Sequence, residues 1–236
     1  MIGVFNNSFF FRTDPSKKLY FDFQSTLNVA GNQRLKFISL QPELSVMPLN
    51  LLKLTISVNY TRNLDQLQYV VDTTSFIDHS MRYVLGTISQ NTLGLTFRID
   101  CTLTPNLSLQ YYGSPFVSIG HYYDFKQITQ PRATDYNQRY EIINPALSSG
   151  TYIVNVQNMQ TDYAFTNPDF TFSQFRSNLV LRWEYRPGSQ LYLVWSQDRS
   201  NYQNPNYESL NQSVHSIQSI FPNNYFLIKF NYWFSL

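Results

Sequence analysis

The chain has 236 residues, the length of one large β domain, and 17% of it is aromatic while only 14% is charged. Average soluble domains carry about 25% charged residues, so polarity here rests on Asn, Gln, Ser, Thr and Tyr. A net charge of +2 spread along the chain argues against a nucleic-acid-binding surface, and the single Cys101 excludes an internal disulfide or a Cys-based metal cluster.

No run of about 18 apolar residues is present, so no transmembrane helix is encoded. The opening Met1 to Asn6 has neither a basic n-region nor an apolar h-region and is not a signal peptide. For an exported protein the expectation is therefore that the natural chain starts further upstream.

Apolar residues almost never repeat with helical spacing, whereas period-two alternation, the mark of a strand, recurs from end to end. Val4 to Arg12 is aromatic-rich but alternates poorly. After the turn Thr13-Asp14-Pro15-Ser16, Leu19 to Val29 sets Leu19, Phe21, Phe23, Leu27 and Val29 against Tyr20, Asp22, Gln24, Thr26 and Asn28. Lys36 to Val46 alternates likewise, with Pro42 inside it, which weakens the ladder locally and predicts a bulge or kink. The turn at Met47-Pro48 leads into Leu52 to Thr61, the cleanest pattern of the first half. Arg62 to about Gln90 reads as a longer, polar, mixed segment.

Leu93 to Leu103 and Leu107 to Ile119 are alternating runs joined by Thr104-Pro105-Asn106, and about Asp124 to Phe172 is a long polar stretch. Ser177 to Gln197 is a hairpin. Leu179, Leu181, Trp183 and Tyr185 share a face with Leu191, Leu193 and Trp195; Asn178, Val180, Arg182 and Glu184 lie opposite. Pro187-Gly188 supplies a preset φ and then a residue tolerant of positive φ, which reverses the chain. A loop from about Asn201 to Pro222 precedes a last strand, Tyr225 to Leu236.

Four tight connections carry proline: Asp14-Pro15, Met47-Pro48, Thr104-Pro105 and Arg186-Pro187. They alternate with connections at the other end, three of which read as long. Tight turns at one end and long loops at the other is the layout of an outer-membrane barrel, and runs of about ten residues suit a tilted strand crossing the apolar layer. A soluble β-sandwich also alternates, but its loops do not sort by length between the two ends. The expected fold is thus all-β: an antiparallel transmembrane (outer-membrane) β-barrel with short Pro-containing periplasmic turns and long extracellular loops. The runs number about nine. Complete barrels of this type have an even count with both termini on the periplasmic side, so residues 1–236 read as the C-terminal part of one larger barrel domain.

The hairpin Ser177 to Ser189, with Asn167-Pro168-Asp169-Phe170, Thr104 to Gln110 and the ending Phe226 to Phe234, resembles a Gram-negative outer-membrane β-barrel family of unknown function, of the DUF5916 type. In that family the barrel follows an N-terminal domain similar to a carbohydrate-binding module. The resemblance covers most of Met81 to Leu236 and is weaker before Arg62. It implies that the upstream strands and the N-terminal domain are missing, and a cell outer membrane location. Implied partners are outer-membrane lipid, the barrel-assembly machinery through the C-terminal strand, and a carbohydrate or surface protein. The final Leu236 departs from the usual terminal Phe.

His79, His121 and His215 are scattered without metal-ligand spacing, and Asp78-His79-Ser80 cannot form a triad from adjacent residues. No phosphate loop is present. No enzyme activity, catalytic set, metal or cofactor is expected. The constellation that remains is the set of lumen-facing polar candidates: Lys53, Arg98, Asp100, Arg176, Arg182, Glu184, Asp198 and Lys229, with Arg186 beside them. Such groups pair across strands or line a water-filled interior, and pairing is the favoured expectation because both signs occur at similar depth. The function expected is a pore or transport component, or a surface anchor linked to a carbohydrate-binding-like domain; a scaffold subunit and an outer-membrane hydrolase are the alternatives.

Overall fold

Period-two alternation becomes an antiparallel meander. The computed structural model describes residues 3–30, 34–155, 160–203 and 209–234. Six strands follow in chain order: β1 (Val4–Arg12), β2 (Leu19–Ala30), β3 (Leu35–Leu49), β4 (Leu52–Thr74), β5 (Met81–Thr104) and β6 (Leu107–Ile128). Four short strands come next: β7 (Tyr140–Ile142), β8 (Ala146–Ser148), β9 (Thr151–Asn155) and β10 (Thr161–Thr166). The chain then returns through β11 (Phe170–Arg186) and β12 (Ser189–Gln203), helix α1 (Leu210–Ser216) and β13 (Asn223–Asn231). The main sheet runs β1-β2-β3-β4-β5-β6-β11-β12-β13, with β7 added against β6; β10-β9-β8 is a separate sheet. The nine strands on the main path correspond to the nine runs of the sequence.

The expected turns form where proline or glycine permits. Thr104 faces Leu107 and Arg186 faces Ser189, leaving Pro105-Asn106 and Pro187-Gly188 as two-residue reversals. Gly188 sits at φ +77°, where a Cβ would be strained. Near Pro48 the reversal itself is Asn50-Leu51, because Leu49 pairs with Leu52.

The segment expected to be mixed, 62–90, is instead the continuation of β4 and β5, which run 23 and 24 residues and turn over only at Ser75 to Ser80. Register shifts at Asp65/Gln68, Tyr69/Val71 and Leu85/Thr87 break the side-chain period while the backbone ladder goes on, so the alternation is lost and the strands are not. Two far-end connections remain long, 129–169 and 204–222. Both carry structure. The first holds β7 to β10. The second holds α1, seven residues long and fastened by a Ser209–Gln212 capping box, too short to register as a periodic run. Strand β13 stops at Asn231, short of the expected end; the final two residues lie outside the described residues.

At Pro42 the β3–β4 ladder is interrupted without a slip. Leu40 faces Tyr60 and Glu43 faces Ser57 in one constant register, and Gln41 and Pro42 find no partner in β4. Proline has no N–H to give, so the ladder is weakened there as expected, by a gap with no register slip.

The sheet does not close on itself among the described residues. Nine antiparallel neighbours leave β1 and β13 as free edges that run in the same direction. The two faces differ in enclosure. On the apolar face Leu54 and Ile56 stay 37% and 40% exposed, whereas Ser39 and Ser45 on the polar face are 5% and 0%. At the far end two small cores form, one on each side. Val84, Phe125, Val154, Tyr163 and Phe165 bind the three-stranded sheet to β5 and β6. Val117 and Ile119, on the apolar side of β6, are covered by Ile217, Leu210 and Val214 from α1 and the turn after it.

Gly120 faces Phe170 across the β6–β11 ladder, and a Cβ there would fall 2.3 Å from the ring. Gly120→Ala should therefore cost about 1–3 kcal/mol by overpacking, measured by equilibrium unfolding, and Phe170→Ala in the same chain should recover part of that cost.

Candidate functional site: the polar face and the cover over its far end

Each strand of the meander presents every second residue to the polar face, so the register lays polar side chains in rows across it. All eight charged residues singled out in the sequence fall on this face. Lys53 lies directly across from Asp100 and Thr55 from Arg98. Arg98 is then opposite Tyr112 and Asp100 opposite Gln110. Arg176 faces Asp198, Arg182 faces Tyr192, and Lys229 faces Tyr192 from the other side.

Pairing accounts for half of these charges. Arg176 Nε meets Asp198 Oδ1 at 3.2 Å across the β11–β12 ladder, and Arg182 Nη2 meets Glu184 Oε2 at 3.3 Å along β11 itself. Glu184 also accepts from the Gly188 backbone N–H at 3.1 Å, tying it to the turn. The remaining cations use rings. Lys53 lies 5.5 Å from the Tyr20 centroid, Arg98 5.8 Å from Tyr112 and Lys229 5.7 Å from Tyr192, within the range of a cation–π contact. Arg186 does the same with Tyr232 and donates to its hydroxyl at 3.0 Å. Asp100 accepts from Gln110 Nε2 at 3.1 Å. Arg98, Asp100, Gln110 and Asn178 line a recess of about 240 Å³. A larger one, about 400 Å³, lies on the same face between β1 and β5.

A cover sits on the far end of the polar face, and residues that sequence reasoning passed over hold it there. Asp162, on β10, is 5% exposed. Its carboxylate accepts from the Ser75 hydroxyl and, at 3.2 Å, from Arg82 Nε; its backbone oxygen accepts from the Phe76 N–H at 2.6 Å. Arg82 donates in turn to Asp78 at 2.9 Å. Ser75 and Asp162 are 87 residues apart, so no local pattern could have joined them. The Asp78-His79-Ser80 triplet is the turn that presents this clasp. Asp78 Oδ1 accepts from the Ser80 N–H and hydroxyl at 3.0 and 2.8 Å, while His79 takes φ 55°. The Ser80 N–H, the Ser80 hydroxyl and the Arg82 guanidinium together hold the Asp78 carboxyl well below the usual carboxylate range.

A second anchor lies at the start of β11. Asp169, 6% exposed, accepts from His121 Nδ1 at 2.9 Å when that nitrogen carries the proton, and from the Tyr122 N–H at 2.6 Å. The Asn167 side chain accepts from the Asp169 N–H at 3.0 Å. His121 is thus an orienting contact on a long strand, whereas His79 sits in the turn and His215 on α1. Among the described residues no group of His, Cys, Asp or Glu could hold a metal ion. Phe125 packs against Tyr152 and Phe165 at 4.7 and 5.3 Å. Burial pushes the Tyr163 phenol well above its usual range, and its hydroxyl donates to Gln127 Oε1 at 2.8 Å.

Residues 2–235 match the family model described as a domain of unknown function, DUF5916. The chain belongs to the DUF5916 family. No curated protein and no solved structure matches it. In this DUF5916 chain the match spans both the rows of the polar face and the segment that covers their far end.

Asp162→Ala leaves Arg82, 19% exposed, without its buried partner and should cost about 3 kcal/mol. The expected readout is faster proteolysis within 129–169. For Asp78 the folded-state value is depressed. Its contribution should be whole above the unfolded-state value of about 4 and be lost as pH falls below it. Proteolytic protection of 129–169 measured against pH should show that loss in the native chain and not in Asp78→Asn.

Proposed function

We propose that the chain forms the wall of an outer-membrane β-barrel whose polar face lines an aqueous interior, with segment 129–169 covering the outer end. The observation that carries the reading is the position of α1. On the apolar face of β6 Leu107, Leu109, Tyr111 and Pro115 are half-buried, whereas α1 closes fully over Val117 and Ile119, 0% and 3% exposed. At about 3.4 Å per residue and a tilt of about 45°, ten residues rise about 24 Å. The apolar band of a barrel is about 25 Å tall. Protein cover therefore begins where lipid would end. Trp183 and Tyr185, packed 6.0 Å apart beside the Pro187 turn, would stand at the inner girdle.

Two further observations support this. Apolar side chains such as Leu54 and Ile56 stand exposed on one face while the charges gather on the other, the inverse of a soluble core. The free edges of β1 and β13 run parallel, so an odd number of strands inserted between them would complete an even, wholly antiparallel barrel. Open edges in hydrocarbon cost several kcal/mol per unsatisfied group. The role that fits a polar, recessed inner wall is passage of small polar solutes. An anchoring role for an N-terminal carbohydrate-binding-like domain is favoured instead to the extent that the 129–169 cover stays closed.

Leu181→Arg should destabilise the inserted chain by about 2–4 kcal/mol, and Val180→Arg, on the opposite face, far less. Folding into lipid vesicles, followed by heat-modifiable gel migration, measures both. Equal costs would return the sheet to a soluble sandwich.

A further inference from the structure

A recess of about 610 Å³ lies between the far-end cover and the polar wall, and its lining is aromatic on a face that is otherwise polar. The wall supplies Tyr122, Phe170 and Tyr202; the cover supplies Phe165, Thr166 and Asn167. The register places the rings. Phe170 stands opposite Gly120, and Tyr202 stands opposite Phe172, two residues along the same face of β11. A Cβ at Gly120 would fall 2.3 Å from the Phe170 ring, so the ring rests on bare strand backbone. Phe170 and Tyr202 then lie nearly parallel, with centroids 6.1 Å apart and planes 16° apart. Phe116 meets Phe172 edge-on at 6.0 Å, one step nearer the turns.

These rings are not core packing. Tyr202 is 60% exposed and Phe170 is half-buried, while the core under the cover is built on Phe125, Tyr163 and Phe165. Beside the rings the face returns to hydroxyls and amides: Gln90 donates to Ser118 at 3.0 Å, and Ser118 lies 2.9 Å from Thr92. Among the described residues no charged side chain lines the recess, so it offers no ion pair to a phosphate, a carboxylate or an amine. Its chemistry suits a neutral molecule with an apolar face and a polar edge. A pyranose has that character, because its C–H faces lie flat on the electron-rich face of an aromatic ring while its hydroxyls project around the rim.

We infer that this recess binds a neutral sugar, stacked on the Phe170–Tyr202 platform with its hydroxyls toward Thr166 and Asn167. The volume lies within the range of about 300–1,000 Å³ typical of small-molecule sites. The inference deepens the proposed reading and rests on it only in taking the polar face to be reached by water.

Isothermal titration of the full-length protein, in a zwitterionic detergent that carries no sugar, tests it with maltose, cellobiose, sorbitol and adenosine. Sorbitol has the hydroxyls without a ring face. Maltose or cellobiose should bind about tenfold more tightly than sorbitol or adenosine. Tyr202→Ala should weaken that binding about tenfold, as loss of one stacking ring does for a base, and Tyr202→Phe should keep most of it. The Tyr202 side chain is exposed, so both variants should fold. Binding of neither disaccharide, equal affinity for sorbitol, tighter binding of adenosine, or an unchanged affinity in Tyr202→Ala would overturn the inference. Because titration needs no bilayer, disaccharide binding by a chain that fails to insert into vesicles would overturn the membrane reading alone.

Discussion

An antiparallel ladder that runs from β1 to β13, with a gap at Pro42, is the constraint on which the molecule depends. Backbone hydrogen bonds hold each strand to the next whatever the side chains are, and the pleat sends alternate side chains to opposite sides. A slip of one residue in any strand would move its leucines onto the charged face. The registers of β4–β5 and β5–β6 below their shifts, and of β6–β11, β11–β12 and β12–β13, thus decide that Leu54, Ile99, Leu181 and Leu193 share one surface while Lys53, Arg98, Arg182 and Lys229 share the other.

Beyond the region of clean alternation, bulges loosen this parity and the two faces acquire separate coverings. On the polar side the three-stranded sheet is held by aromatic packing around Phe125 and by the Ser75–Asp162–Arg82 clasp. On the apolar side α1 lies on Val117 and Ile119. Strands of 22 to 24 residues carry apolar side chains beyond the region of clean alternation, and there Val117 and Ile119 have protein packed over them.

The polar face avoids the desolvation cost of its charges by mixed means. Three ion pairs, several cations over tyrosine rings and a carboxylate tied to a turn N–H share the work. The abundance of tyrosine explains why fewer ion pairs form than the alternating signs of the sequence suggest: a ring opposite a cation competes with a carboxylate. Within this face Pro42 opens the ladder between β3 and β4.

Period-two alternation is a local property, so the sequence alone determined the strand class, the nine long runs, the reversals at Pro105 and Pro187-Gly188, and which face each charge occupies. The family was legible too, in the hairpin Ser177 to Ser189. What depends on contacts between distant residues was not. The bulges that carry β4 and β5 through 62–90 leave no alternation to read, and α1 is too short to show a helical period. The clasp joins residues 87 apart, and the register decides that Asp22 claims Arg12 and that the Tyr20 ring claims Lys53. Those outcomes belong to the tertiary structure, because only the assembled ladder sets the heights at which side chains from different strands meet.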